Sequence, residues 1–431
     1  MGLRLRFAGA LLACPLFALT AHSQESDQLA EEDFVAWAGE VAIPFDLEAG
    51  PAPERLAAIL GGRRIVYLGE PDHFIHEKYP FRLGFLRALH GLGWRHLGME
   101  MGRSDGLNFD RYLETGDERS LFDIGLYSSA PSIESGIRAG SFLGMELSYA
   151  RDLRALASGP QRVRYFGFDV DVSPGNGWDD ALARVTDVDG GEELALILAD
   201  LRRSRERVDG LEAVVDELRD PDAALGKELP VGVQRQLALD LDTLAESLRF
   251  GRTPLFDDDV EPVTLVDAFT RRERLMFRTF DAYHDALPEG TPIALTGHNL
   301  HLSRRSQSAR WFEIDSEQAV ALLPSIGAHV TERFPDDVFA VWLVYDHGRH
   351  LNATDISRER ELKSVPGTVE SLLARLPHDA LLLPLASEDP RSRWLDGERS
   401  YRVNGGVGYG RLRELTDALV FVREVHPPTP D

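Results

Sequence analysis

Cysteine is almost missing from this chain: Cys14 is the only one, and it lies in the apolar stretch at the N-terminus. Once that stretch is removed no thiol remains, which excludes disulfides, thiolate metal ligands and cysteine nucleophiles. Positive charge is also short. Lys and Arg number 47 against 71 Asp and Glu, a formal net charge of −24; loss of Arg4 and Arg6 with a leader makes it −26 (−24 − 2). Such a field repels phosphate backbones and anionic lipid, so nucleic acid is set aside as a partner. Long hydrophobic runs are confined to Phe7 to Leu19, well short of the ~20 apolar residues of a spanning helix. The rest of the chain has no candidate transmembrane segment.

Several catalytic signatures are missing as well. No Gly-x-Ser-x-Gly elbow is present, which argues against a serine hydrolase of the usual α/β kind. His76-Glu77 would need a second histidine at position 80 to make a zincin helix, and Pro80 stands there. Gly405, Gly406, Gly408 and Gly410 lack the Lys-Ser/Thr ending of a nucleotide loop and read as a flexible loop.

What is present begins with an export pattern: Arg4 and Arg6, the apolar run, then small residues at Ala21 and Ser23. This predicts a signal peptide over residues 1–23, a mature chain of residues 24–431, and a periplasmic or secreted location. Leu11-Leu12-Ala13-Cys14 supports the alternative of a lipoprotein lipidated at Cys14.

Beyond Asp33, short apolar runs alternate with helical stretches. Strands are expected at Ile65 to Leu68, His96 to Met99, Val163 to Phe168, Ile293 to Thr296, Val338 to Tyr345, Leu381 to Leu385 and Ala418 to Val422. The alternation predicts an α/β fold with a largely parallel central sheet flanked by helices. From about 186 to 250 the composition turns to Leu, Ala, Glu, Asp and Arg with apolar residues three and four apart, a helical insertion.

Polar residues crowd the exits of these strands, where an α/β sheet places its ligand site. Ile65 to Leu68 open into Gly69, Glu70, Asp72, His73, His76 and Glu77. Arg82 falls on the apolar stripe of the next helix, with Phe85, Leu86 and Leu89, so it points inward and needs an anion. That anion is either a structural carboxylate such as Glu77, or a substrate oxygen or catalytic carboxylate. The next strand ends at Glu100; if its parallel neighbour is the first strand, Glu70 and Glu100 lie about 4.8 Å apart along one rim. Further exits carry Asp169 and the pair His298 and His301.

These residues, in this order, resemble the erythromycin esterase family: Gly69-Glu70-x-x-His73-x-x-x-Glu77, Arg82, Glu100, Gly167-Phe168-Asp169, Arg272-Glu273-x-x-Met276, Gly297-His298-Asn299-x-His301 and the terminal strand introduced by Asp417-Ala418. The resemblance implies hydrolysis of a small-molecule ester or lactone without a cofactor, with His73 as the general base that activates water. Glu70, Arg82, Glu100 and His298 would complete the catalytic set, with Glu77, Phe74, His301 and Asp169 around the substrate. Pro71, Asp72 and Phe74 depart from the family's turn, which has a small residue and Thr before the histidine and Gly after it. Phe74 is expected to crowd the turn and Asp72 to add a charge, moving the substrate away from a macrolide. Glu70 or Glu100 would steady the imidazolium, and Arg82 or His298 the oxyanion.

Two other classes fit the same residues. Glu70, His73, Glu77, Glu100, His298 and His301 are acceptable ligands for a divalent metal, giving a metal-dependent hydrolase or peptidase. A ligand-binding protein without turnover would use the same rim.

Overall fold

The computed structural model describes residues 16–44, 46–122, 124, 143–156, 161–171, 174–220, 223–251, 262–312, 320–352, 355–403 and 405–428. Residues 1–15 of the expected leader lie outside these. Its last residues belong to a helix, Leu16–Val41, that continues through Gln24 and buries Phe34 and Trp37 against Trp394 and Leu395. Among the described residues no helix is long and apolar enough to cross a membrane.

The strands are β1 (Ile43–Pro44), β2 (Ile65–Glu70), β3 (His96–Gly102), β4 (Arg164–Asp169), β5 (Ile293–His298), β6 (Arg310–Phe312), β7 (Val320–Ala321), β8 (Val338–Asn352), β9 (Asp355–Leu362), β10 (Ala380–Pro384), β11 (Arg399–Val403), β12 (Gly406–Gly410) and β13 (Ala418–Val425). A nine-stranded sheet runs β1-β10-β13-β8-β2-β5-β3-β4, with β9 added to β8. All pairs from β13 to β4 are parallel. The pairs β1/β10, β10/β13 and β8/β9 are antiparallel. The result is a mixed, mostly parallel sheet flanked by helices. Every residue of β2 and β5 is buried, as the unbroken apolar runs require of central parallel strands.

The order corrects one expectation. β5 lies between β2 and β3, so the strand ends bearing Glu70 and Glu100 are not hydrogen-bonded neighbours. The sequence of a βαβ unit sets its handedness and direction but leaves room for a later strand to insert. Instead Glu70 pairs in register with His298 of β5.

A second correction concerns the glycines after Val403. Gly406–Gly410 is a strand of a small antiparallel sheet, β11-β12-β6-β7, and not a flexible loop. A Cβ at Gly408 would come within 2.6 Å of the Tyr401 ring across the β11 pair. Glycine here permits close contact between a backbone and a ring.

Helix Lys78–Gly91 connects β2 to β3, and Arg103–Thr115 follows β3. Gly106 of the latter lies so close to β4 that a Cβ would sit 1.9 Å from the Gly167 nitrogen. Helices Pro174–Thr186, Glu192–Leu201, Arg207–Arg219 and Val231–Phe250 bury Leu194, Leu198, Leu211, Val215 and Leu241 in a core of their own. Helix Pro262–Asp285 then returns the chain to β5.

Candidate active site

The C-terminal ends of β2, β3, β4 and β5 bring Glu70, Glu100, Asp169 and His298 to one rim, and the turns beyond β2 and β5 add His73 and His301. Nδ1 of His73 lies 2.8 Å from Oε1 of Glu70. Arg82 holds the other Glu70 oxygen in a fully buried ion pair. Burial alone would raise the Glu70 pKa, but Arg82, Lys78 and His73 outweigh it and hold the carboxyl at about 2. An ionised carboxylate only accepts, so Nδ1–H of His73 donates to it, and in the neutral form of the ring the proton-free nitrogen is Nε2. That nitrogen lies 3.7 Å from Oε1 of Glu100.

Glu100 is the hub of the opposite side. Its Oε2 accepts the backbone N–H of His298 at 2.7 Å, and its Oε1 faces Nε2 of His301 at 3.1 Å and Arg272 at 3.3 Å. Burial works against ionisation, but His301, His73 and Arg272 hold the carboxyl well below its ordinary value. Arg272 also grips Asp169, donating from Nε at 2.7 Å. His301 donates from Nδ1 to Glu273, whose second oxygen accepts the backbone N–H of Ile326 at 2.7 Å. Burial would make His301 less basic; Glu100 and Glu273 more than reverse it, raising the ring to about 10. With a carboxylate on each nitrogen, His301 is an imidazolium at neutral pH.

His298 is the opposite case. Nδ1 accepts the N–H of Leu300 at 3.1 Å, and Nε2 donates to the Pro71 carbonyl at 3.1 Å. Burial and the nearby His73 push its pKa down to about 4. Its ring is neutral and spans the β2 and β5 turns, 5.1 Å from the His73 ring.

Exposure separates the members of the group. The side chains of His73 and His301 keep 16% and 12% of their accessible surface, whereas Glu70 and Arg82 keep none. A ligand at this rim therefore meets the two histidines first.

The other sequence candidates sit elsewhere. Glu77 accepts from Nδ1 and the backbone N–H of His426, at 2.8 and 3.0 Å, just beyond β13; Arg82 pairs with Glu70 instead. Phe74 packs into the main core with Ile75 and Tyr79, its ring edge-on to His73. The Asp72 carboxylate is buried and faces His350 of β8, 2.5 Å away, so its charge is met within the protein. Arg103 pairs with Asp240.

Sequence reasoning missed the supporting layer. Lys78 and Tyr79, in the first turn of the helix that carries Arg82, donate to Oε1 of Glu146 at 3.1 and 2.9 Å. Glu146 lies on helix Leu143–Leu156, far along the chain, and nothing in its local sequence marks it. Arg272 and Glu273 were visible only as a motif. Among the described residues, no group of three or more His, Cys, Asp or Glu side chains has the geometry of a metal site.

Comparison with known proteins agrees with this architecture. A Bacillus cereus protein of known crystal structure superposes with a TM-score of 0.70 at 16% identity, over 93% of this chain and 99% of its own. A succinoglycan biosynthesis protein gives 0.66 at 15%, over 93% and 99%. A mutant of the erythromycin esterase EreC in its open conformation gives 0.62 at 17%, over 88% and 95%. At these identities the likeness speaks for the fold alone. No curated protein matches significantly in sequence. The erythromycin esterase pattern matches residues 91–425, taking in Glu100, Asp169, Arg272, Glu273, His298 and His301 and starting after the β2 turn. With more than half of its length matched, the chain belongs to the erythromycin esterase family of hydrolases.

Proposed function

We propose that the protein hydrolyses a small-molecule ester or lactone with water activated by His73. The observation that carries this reading is the polarity of the His73 ring: Nδ1–H is spent on an ionised, Arg82-clamped Glu70, while Nε2, 3.7 Å from Glu100, belongs to a side chain that keeps 16% of its surface. Water hydrogen-bonded to Nε2 loses its proton there as its oxygen bonds to the ester carbonyl carbon. Glu70 stabilises the imidazolium that forms. Both ring N–H groups of His301 face carboxylates, Glu273 and Glu100, so its imidazolium offsets the developing oxyanion through space rather than by a hydrogen bond; Arg82 pairs with Glu70, and His298 spans Leu300 and Pro71. Collapse of the tetrahedral adduct breaks the acyl–oxygen bond, and the proton on His73 passes to the departing alkoxide. Ester and water become acid and alcohol with no cofactor.

His73→Ala tests the reading. Loss of a general base should lower kcat on a simple aryl or lactone ester by about 100-fold or more, with a smaller effect on KM. A small change in Tm should accompany it, because the ring contributes little to the core. Near-parent turnover in a folded His73→Ala protein would remove His73 from the mechanism. Activity lost on chelation and restored by one divalent ion would replace this reading with the metal-dependent one. Export through residues 1–23 is a further part of the proposal.

A further inference from the structure

β8 does not stop at the rim. Its pairing with β2 ends at Gly69 opposite Trp342, yet it runs ten residues further, to Asn352, and folds back as β9. This projecting hairpin returns to the turn that bears His73. Nδ1 of His350 lies 2.5 Å from Oδ2 of Asp72, and the N–H of Leu351 donates to the Phe74 carbonyl at 3.2 Å. Asp72 uses its other oxygen to accept the N–H of Phe74 at 2.8 Å. The residues on both sides of His73 are thus fixed by one strand, and Pro71 before them is fixed by His298.

We infer that Asp72 and His350 are positioning residues: their buried pair, together with the Leu351 contact, clamps the β2 turn so that the His73 ring keeps Nδ1 on Glu70. The inference rests on the hydrolytic role proposed for His73. A carboxylate that bridges Phe74 N–H and His350 sets the direction in which the backbone at residue 73 launches its side chain. Turning that ring away from Glu70 breaks the 2.8 Å contact and loses the bias toward one tautomer. A misplacement of the order of 1 Å at a catalytic group costs up to about 100-fold. Partial loosening by one lost contact should cost about tenfold.

The test uses the full-length protein, an aryl ester, and histidine labelled with ¹⁵N. His350→Ala should lower kcat about tenfold with KM within about twofold, while the His73 ring-nitrogen shifts move from the Nδ1-protonated form to a mixture. His350→Asn, whose amide nitrogen reaches the place of Nδ1, should recover most of the rate and the parent ring signals. Asp72→Asn keeps the acceptor for Phe74 and removes only the charge; it should move both readouts in the same direction as His350→Ala, and carries the test if that variant does not fold. Lowered Tm with parent kcat and parent His73 signals would reduce the pair to a staple of the fold and overturn the inference. Turnover retained by His73→Ala would refute the hydrolytic role, while the ring signals still decide the clamp.

Discussion

Glu273→Gln isolates the charge state of His301. The substitution keeps an acceptor for the Ile326 N–H and the shape of the side chain, and removes one of the two negative charges on the ring. His301 is raised from 6.5 to about 10 against the opposing effect of burial, by Glu100 first and Glu273 second. That rise of about 3.5 units corresponds to ~5 kcal/mol at ~1.36 kcal/mol per unit. Loss of the Glu273 charge should therefore lower the pKa by about one to two units, on the order of 2 kcal/mol of pairing energy. A histidine raised on folding contributes stability that is complete below about 6.5 and disappears as pH rises through about 10. The Tm gap between parent and Glu273→Gln should accordingly be full at neutral pH and close above pH 10. On an aryl ester, corrected for spontaneous hydrolysis, the alkaline limb of kcat/KM should stand near pH 10 in the parent and one to two units lower in the variant. An unmoved limb, or a parent His301 ring that titrates near 6.5 by NMR, would refute the imidazolium assignment.

Chelator treatment should leave ester hydrolysis largely intact, since the proposed water activation uses only side chains; metal analysis of the purified protein provides the second reading. Mass analysis of the processed protein should find an N-terminus near Gln24; a retained Met1 would remove the leader, and a diacylated Cys14 would substitute the lipoprotein form. Gly106→Ala should lower Tm by several degrees, because its Cβ would collide with the Gly167 backbone and force the helix off β4 at a cost of about 1–3 kcal/mol.

The central strands were legible because burial on both faces leaves little choice of composition: Ile65 to Leu68 and Ile293 to Leu295 form short apolar runs, and both lie in the middle of the sheet. The rim was legible for a related reason. Titratable residues that follow such a run at once, as Glu70 and His298 do, have little freedom to be anywhere but at the strand end. Strand order was not, since insertion of β5 between β2 and β3 is decided by packing across some 200 residues of chain. Partners across space were equally hidden. Arg82 was correctly turned inward by its place on an apolar stripe, but that stripe does not say that Glu70 rather than Glu77 receives it. Asp72 read as an added charge at the site because His350, on a distant strand, carries no local sign of facing it. The glycines of β12 misled because freedom of the backbone and closeness to a ring select the same residue.

The four helices from Pro174 to Phe250 bury their leucines and valines mainly against one another, and they meet the rest of the molecule through polar contacts such as Arg103 with Asp240 and the Asp171 N–H with Ser247 and through Phe250 packed with Val170 and Leu275. On this division we expect the bundle to open at a lower free energy than the sheet. Exchange at Leu211 or Leu241 of the bundle should then report a smaller free energy than exchange at Val66 or Leu295, which are sealed within the sheet. Order at the rim and melting of the bundle would then be separable quantities in this fold.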